Sequence, residues 1–383
     1  MAERLSALLN LRFIFDSIRR NGFLKSCELG LSLLGLRLYE SFFSSRFGRV
    51  VDVLLNVSNR RDDTLYAFYD LAKVANGFDI VNFLVLTEME RRDKGYRSVR
   101  IVIVPPLDRQ YEKYRGYELM GVTDFYARLQ NIVVPSCHLL SSCVGVIVCV
   151  SRSEASCVFN DAGSAVFPLG YTVRSPIAYV QPRYIREAVD RGDVVPSISA
   201  PPLSKEFASY WLRAVADGRR VVTITLREST HAPEKNSDIV AWTQFAQLLL
   251  DSGVYFPVFI RDTEQIAQEV PALLRDFTIC YEASLNVIFR TALYEEAYIN
   301  LFVNNGPSVL GIFNENVRYI IFKFLNNASK KATKDFLRDN HGIDYLASFP
   351  GAKPWQKLVW EDDTFEVVSR EFQLVTSLIK EGF

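Results

Sequence analysis

Two apolar runs in this chain end in residues suited to holding an anion. Val221–Ser229, VVTITLRES, is β-branched and stops at Arg227 and Glu228. Val303–Ser308, VNNGPS, stops at Asn304, Asn305, Gly306, Pro307 and Ser308. An arginine fork gives a phosphate paired hydrogen bonds that lysine cannot reproduce. A turn of asparagine, glycine and serine offers side-chain and backbone donors at a helix start, and Gly306 permits close approach of the backbone. Ligands of α/β domains gather where strands end, so two such edges suit a diphosphate. The plainer alternatives are a salt bridge from Arg227 to Glu228 or Glu234, and an ordinary asparagine turn with a helix cap.

Other candidates lie at neighbouring strand ends. Asp262 and Thr263 follow the apolar run Tyr255–Ile260, the right edge for ribose or base contacts, or a solvated loop. Asn236 either touches a ligand hydroxyl or helps to cap the next helix. Asp70 and Asp79 lie where the chain leaves one strand and enters a helix. Either carboxylate is placed to act as a general base, and either would also serve as a cap. Gln181, Arg183 and Arg186 sit near the proline-rich crossing and suit an anionic acceptor, with no spacing that makes this specific. Glu282 and Arg290, before and within the helix that leads to the asparagine turn, either reach the cleft or face solvent.

Metal chemistry finds little support. No strict Asp-x-Asp occurs, and Glu361-Asp362-Asp363 reads better as the start of the last helix, with Asp363 and Glu366 at capping-box spacing. His138, His231 and His341 are isolated from one another, without zinc-ligand spacing. The expectation is therefore no metal and no resident cofactor, with arginine and N–H groups neutralising the diphosphate.

The elements that must position these residues follow an α/β rhythm. Strands are expected at Val50–Val57, Leu65–Tyr69, Val99–Val104 and Val144–Val150, with helices over Phe78–Arg92 and Leu119–Gln130. Residues 151–204 are rich in proline and glycine and lose the rhythm. It resumes with strands at Val221–Leu226, Tyr255–Ile260, Thr278–Tyr281, Ile299–Val303 and Tyr319–Phe322. Helices are expected from Asn236-Ser237-Asp238 onward, over Leu285–Tyr298 with Ser284 as cap, and over Thr364–Lys380. The fold class is thus α/β, with two Rossmann-like domains facing a cleft. The chain divides into an amphipathic helical extension (1–48), a first domain (49–204), a second domain (205–362) and a terminal helix (363–383).

At 383 residues, 49% hydrophobic and 23% charged, the chain is long enough for two cores and is an ordinary globular sequence. Lys+Arg and Asp+Glu both number 44, which argues against a nucleic-acid binder. The 6 cysteines form no C-x-x-C pair and read as reduced, buried thiols of a cytosolic protein. Residues 1–48 set leucines and phenylalanines among Arg12, Arg19, Arg20 and Lys25. They suit helices lying on an anionic membrane surface, docking on the protein's own core, or forming a dimer contact.

Two Rossmann-like halves joined by a proline-rich crossing resemble the GT-B glycosyltransferases. Within residues 221–310, TITLRES, PVFIRDTE and ALYEEAYINLFVNNGPS resemble the donor half of fucosyltransferase-like enzymes. That family's His-x-Arg-Arg is replaced here by Thr225-Leu226-Arg227-Glu228. The resemblance implies transfer of a sugar, with inversion, from a nucleotide-sugar to a polysaccharide, lipid-linked or protein acceptor. It implies a donor site of Arg227, Glu228, Asn236, Asp262, Thr263, Asn304, Asn305, Gly306 and Ser308. The cytoplasm, at the inner membrane face, is the expected location. A nucleotide-sugar epimerase and a non-catalytic carbohydrate-binding or scaffolding protein of the same fold are the alternatives.

Overall fold

The first described strand, β1 (Thr64–Asp70, TLYAFYD), is buried along nearly its whole length, because a parallel sheet is covered on both faces. The computed structural model describes residues 63–107, 122–230, 232–330 and 332–381. The expected extension over 1–48, the strand expected at Val50–Val57 and His231 lie outside the described residues. β1 pairs in parallel with β2 (Ser98–Val104), Thr64 opposite Ser98 and Asp70 opposite Val104. β3 (Cys143–Val148) and the two-residue β4 (Val166–Phe167) complete a sheet ordered β3-β2-β1-β4.

Helix α1 (Asp79–Lys94) makes the crossover from β1 to β2. Arg91, Arg92 and Lys94 sit in its last turn, where cations favour the dipole, and Gly95 closes it at φ +72°. α2 (Val122–Arg128) runs on into a wider helical turn, Leu129–Val133. α3 (Arg152–Ala162) begins at Ser151, whose hydroxyl accepts the Glu154 N–H. α4 (Pro182–Asp190) and α5 (Pro202–Ala216) each start on a proline, whose missing N–H costs nothing there.

The second sheet holds β5 (Arg220–Thr225), β6 (Tyr255–Ile260), β7 (Thr278–Ile279), β8 (Ile299–Val303), β9 (Tyr319–Phe322) and β10 (Gln356–Leu358). Their order is β10-β9-β8-β5-β6-β7, and every described pairing is parallel. The chain builds outward from β5 to β7, then returns to lay β8 on the other side of β5. That reversal opens a crevice between the ends of β5 and β8, the ligand position of doubly wound sheets. The first sheet reverses in the same way between β1 and β4. Helices α6 (Ile239–Asp251), α7 (Val287–Glu296) and α8 (Phe365–Lys380) cover the second sheet.

Sequence expectation and structure differ at definite places. α3, β4 and β10 were not expected: α3 buries only Ala155, so its apolar stripe is weak. β10, QKL, is held by the buried Gln356 amide donating to the Asn314 and Val317 carbonyls. Asn286 rather than Ser284 caps α7, its side chain accepting from the Phe289 N–H. Thr364 rather than Asp363 caps α8. Asp363 is instead 1% exposed, accepting from the Trp242 indole at 2.7 Å and the Asp238 N–H at 2.9 Å.

The described residues from Thr64 onward form one compact unit. Residues 198–200 stitch its halves: Ile198 N–H donates to Phe313 O, Ser199 N–H to Leu139 O and Ala200 N–H to Glu295 Oε1. α5 lies on α7 through Phe207 and Phe289, ring centroids 5.2 Å apart. Cys137, Cys149 and Cys280 are buried thiols and Cys157 is exposed. No helix among the described residues is long and apolar enough to cross a membrane.

Burial, with the Lys235 charge added, pushes the His341 imidazole down from 6.5 to about 4. The unfolded chain therefore takes up a proton that the fold refuses between those two values. Stability rises with pH across the window and is lost as pH falls through it. His341→Gln should flatten the difference between urea midpoints at pH 7.5 and pH 5. Parallel behaviour of variant and wild type would show that the imidazole does not contribute.

Candidate functional site

The C-terminal ends of β5 and β8 are neighbours, so residues 226–230 and 304–308 lie side by side at the crevice. The two stretches singled out in the sequence thus form one edge. Glu228 turns away from Arg227 and grips Arg261: the Arg261 Nη2 lies 2.8 Å from Oε1 and its Nε 3.1 Å from Oε2. Arg261 is 2% exposed, so this pair clamps the β5 and β6 loops together from inside. The Glu228 N–H points to Asp262 Oδ2 at 3.5 Å, and the Asp262 N–H to Glu228 Oε2 at 3.4 Å.

Several expected ligand contacts are engaged in holding the loops. Asn236 brackets Ser229, accepting its N–H at 3.1 Å and donating to its carbonyl at 3.0 Å. The Thr263 hydroxyl donates to Ser284 O at 2.7 Å. Asn304 donates to Phe324 O at 3.2 Å. Asn305 Oδ1 accepts the Ser308 N–H at 3.1 Å, and the Ser308 hydroxyl donates to Asn305 O at 2.7 Å. The Asn305 amide nitrogen is buried with no acceptor among the described residues. Arg227 is half-buried; its N–H donates to Ser237 Oγ at 2.9 Å and its guanidinium to Ala232 O at 3.4 Å.

The first half meets this edge through Phe78. A Cβ on Gly306 would stand 2.7 Å from Phe78 Cδ2 and 3.3 Å from Cγ, so the ring lies directly on the glycine. Phe78 is the residue before α1, which places Asp79, exposed in the first helical turn, beside the 304–308 turn. Arg128 crosses the same gap to Glu264 at 2.6 Å, and the Ser229 hydroxyl donates to Glu264 at 3.3 Å.

The corresponding crevice of the first sheet is filled. Asp70 is 1% exposed and accepts four hydrogen bonds: from Arg152 Nη1 (2.9 Å) and Nη2 (2.8 Å), the Tyr171 hydroxyl (2.8 Å) and the Ala72 N–H (3.0 Å). A carboxylate has about four lone-pair positions, so Asp70 keeps none for a substrate proton. Burial and the Asp70 charge push the Tyr171 phenol up, which holds it as a donor. Asp70 and Asp79 are therefore separated by role: one ties the first sheet, the other faces the second.

Arg261, Arg128, Glu264 and Phe78 escaped the sequence reading. Arg261 had a signal, since it follows an apolar strand just as Arg227 does. Arg128 and Glu264 are 136 residues apart and had none. Among the described residues no cluster of His, Cys, Asp or Glu is placed to hold a metal ion.

No protein-family model matches the chain, and no curated protein matches it. Among solved structures it is similar to a family 9 glycosyl transferase from Veillonella parvula DSM 2008, at 11% identity and TM-score 0.50, covering 82% of this chain and 97% of that one. Less closely it matches an E. coli ADP-heptose LPS heptosyltransferase II, at 10% identity and TM-score 0.45, covering 84% and 99%. The fold is that of the GT-B glycosyltransferases: mixed α/β, with parallel sheets in both halves.

Because the Phe78 ring occupies the space a side chain at 306 would need, Gly306→Ala should destabilise by about 1–3 kcal/mol. In a Phe78→Ala background the same substitution should cost less, with coupling above about 0.5 kcal/mol. Urea unfolding of the four proteins measures this, and additive effects would refute the contact.

Proposed function

We propose that the protein is a glycosyltransferase that moves a sugar from a nucleotide-sugar donor to a polysaccharide, lipid-linked or protein acceptor. The observation that carries this reading is the contrast between the two crevices. The one at β1/β4 is plugged by Asp70, Arg152 and Tyr171, whereas the one at β5/β8 is edged by Arg227 and an exposed Gly306, with Asp79 opposite. The shared GT-B fold supports it. The second half, 205–362, takes the donor and the first, 49–204, the acceptor.

In this mechanism Arg227 and the backbone N–H groups of Asn305 and Gly306 receive the diphosphate, those of Asn304 and Ser308 being paired with Phe322 O and Asn305, and Asp262 meets the ribose. Glu228, Asn236, Thr263, Asn304, Asn305 and Ser308 act by fixing those loops. Asp79 takes the proton from the acceptor hydroxyl as its oxygen attacks the anomeric carbon. The bond to the diphosphate breaks with its electron pair, and the configuration inverts. The reaction is metal-independent. Membrane contact through residues 1–48 belongs to the same proposal.

A thermal-shift screen against ADP, GDP, UDP and CMP identifies the nucleotide; saturation at 100 times Kd should stabilise by about 2.7 kcal/mol. Arg227→Ala should weaken the nucleotide that binds by roughly tenfold or more, the loss of about 1.5–3 kcal/mol of charged hydrogen bonding. Affinity within twofold of wild type would remove Arg227 from the site. Asp79→Asn should lower kcat by about 10²–10⁴ with nucleotide affinity kept. Asp70→Asn should lower stability and spare kcat per folded molecule. The reverse pattern would exchange their roles. Transfer in excess EDTA should equal transfer with magnesium or manganese; a loss that either metal restores would overturn the metal-free reading.

A further inference from the structure

Beside the β5/β8 crevice lies a cavity of about 580 Å³ at the ends of β9 and β10. Its walls are Glu234 of the loop after β5 and the segments 323–328 and 360–362 that follow β9 and β10. Asn304 donates to Phe324 O, Asn326 to Glu234 O at 2.8 Å, and Lys323 Nζ to Asn236 O at 3.0 Å. Leu325 and Trp360 supply apolar wall; Glu234, Asn327 and Asp362 supply polar groups.

The charges around it are unevenly satisfied. Lys323 is held by Asn236 O and by Asp363, 3.5 Å away, and Glu361 is paired with Arg370. The Glu234 and Asp362 carboxylates and the Asn327 amide have no side-chain partner among the described residues. Trp360 is 7% exposed, and its indole N–H is buried without an acceptor. Its ring is fixed edge-on between Phe324 and Tyr345, at 5.1 and 5.3 Å.

Carboxylates accept from neighbouring hydroxyls, a carboxamide donates and accepts, and an aromatic wall covers C–H faces. A ligand rich in hydroxyls meets all of these. A phosphate or carboxylate would face the Glu234 and Asp362 carboxylates, while Lys323, the cation among the described lining residues, is already held by Asn236 O and Asp363, which costs an anion affinity. The cavity therefore differs in chemistry from the diphosphate crevice next to it.

We propose that this cavity binds an uncharged sugar ring, either the donor's glycosyl group or the acceptor's terminal sugar. The assignment of the ring to one or other substrate rests on the glycosyltransferase reading, whereas the cavity's preference for a neutral sugar does not.

The test compares the full chain with a Glu234→Gln/Asp362→Asn double variant. One arm measures affinities of ADP-glucose, UDP-glucose and GDP-mannose against ADP, UDP and GDP by calorimetry. The other records saturation-transfer NMR of methyl glucoside, methyl galactoside, methyl mannoside and glucuronate. A donor ring predicts at least fivefold loss of sugar-nucleotide affinity in the variant with the bare nucleotide unchanged. An acceptor ring predicts loss of the neutral glycoside signals with both nucleotide affinities kept. Identical behaviour of variant and wild type in both arms overturns the proposal, as does glucuronate binding as well as the neutral glycosides. If wild type binds no nucleotide, the crevice reading fails, and the glycoside arm still decides the cavity.

Discussion

The Phe78 ring lying on Gly306 sets how closely the two halves approach. Both partners are constrained: Gly306 lies in the turn that follows β8 at the crevice, and Phe78 opens the first crossover helix of the other half. Interiors and close contacts transmit displacement because they are packed without slack. The shared packing around residues 198–200 and α5 anchors the halves far along the chain from this point. The Arg128–Glu264 pair adds a charge-assisted tie nearby, at 19% and 34% side-chain exposure. An exposed pair of that kind is worth little by itself, so it orients the loops while the ring contact fixes the distance.

Given that separation, the two crevices differ in what fills them. The four strands of the first sheet follow the same order as the first four of the second, and each sheet has a reversal of strand order. In the first sheet the reversal is occupied by a buried carboxylate with a bidentate arginine and a phenol. Removing either partner would leave an uncompensated buried charge, so this plug is a structural necessity once Asp70 is there. In the second sheet the equivalent buried pair, Glu228–Arg261, lies one strand over, between β5 and β6. It clamps the loops without entering the β5/β8 gap. Similar chemistry, shifted by one strand, closes one crevice and braces the other.

The fold was legible where local signals agree. VVTITL, FPVFI and INLFV are apolar runs of strand length ended by turn residues, and the parallel sheet they form requires that burial on both faces. α3 hid because SEASCVFND presents almost no apolar face, and β10 because its strand is anchored by a polar glutamine. Of the site, Arg227 and the 304–308 turn were readable as strand-end residues, but their adjacency depends on strand order, which no local pattern encodes. The pairing of Asp70 with Arg152 spans 82 residues and turns a plausible base into a tie. Polar residues at strand ends look alike in sequence whether they meet a ligand or hold a loop. Only their partners separate the two cases.

The loop from β5 to α6 shows what such holding achieves. Residues 226–230 and 232–238 would otherwise be free to sample many conformations, and fixing a backbone residue costs about 1–2 kcal/mol. Here the cost is met in folding. Ser237 accepts the Arg227 N–H and returns its own N–H to Arg227 O, Asn236 brackets Ser229, Lys323 reaches Asn236 O, and buried Asp363 secures Asp238. Two residues of this network, Ala232 and Lys323, sit at φ +54°, which a side chain rarely adopts without surrounding support. A loop ordered in advance loses little entropy when a ligand arrives, and donors fixed in advance need no reorganisation as charge develops on a leaving group. Asn236 contributes in this way: it brackets Ser229 and, through its carbonyl and Lys323, ties down the loop that carries Arg227.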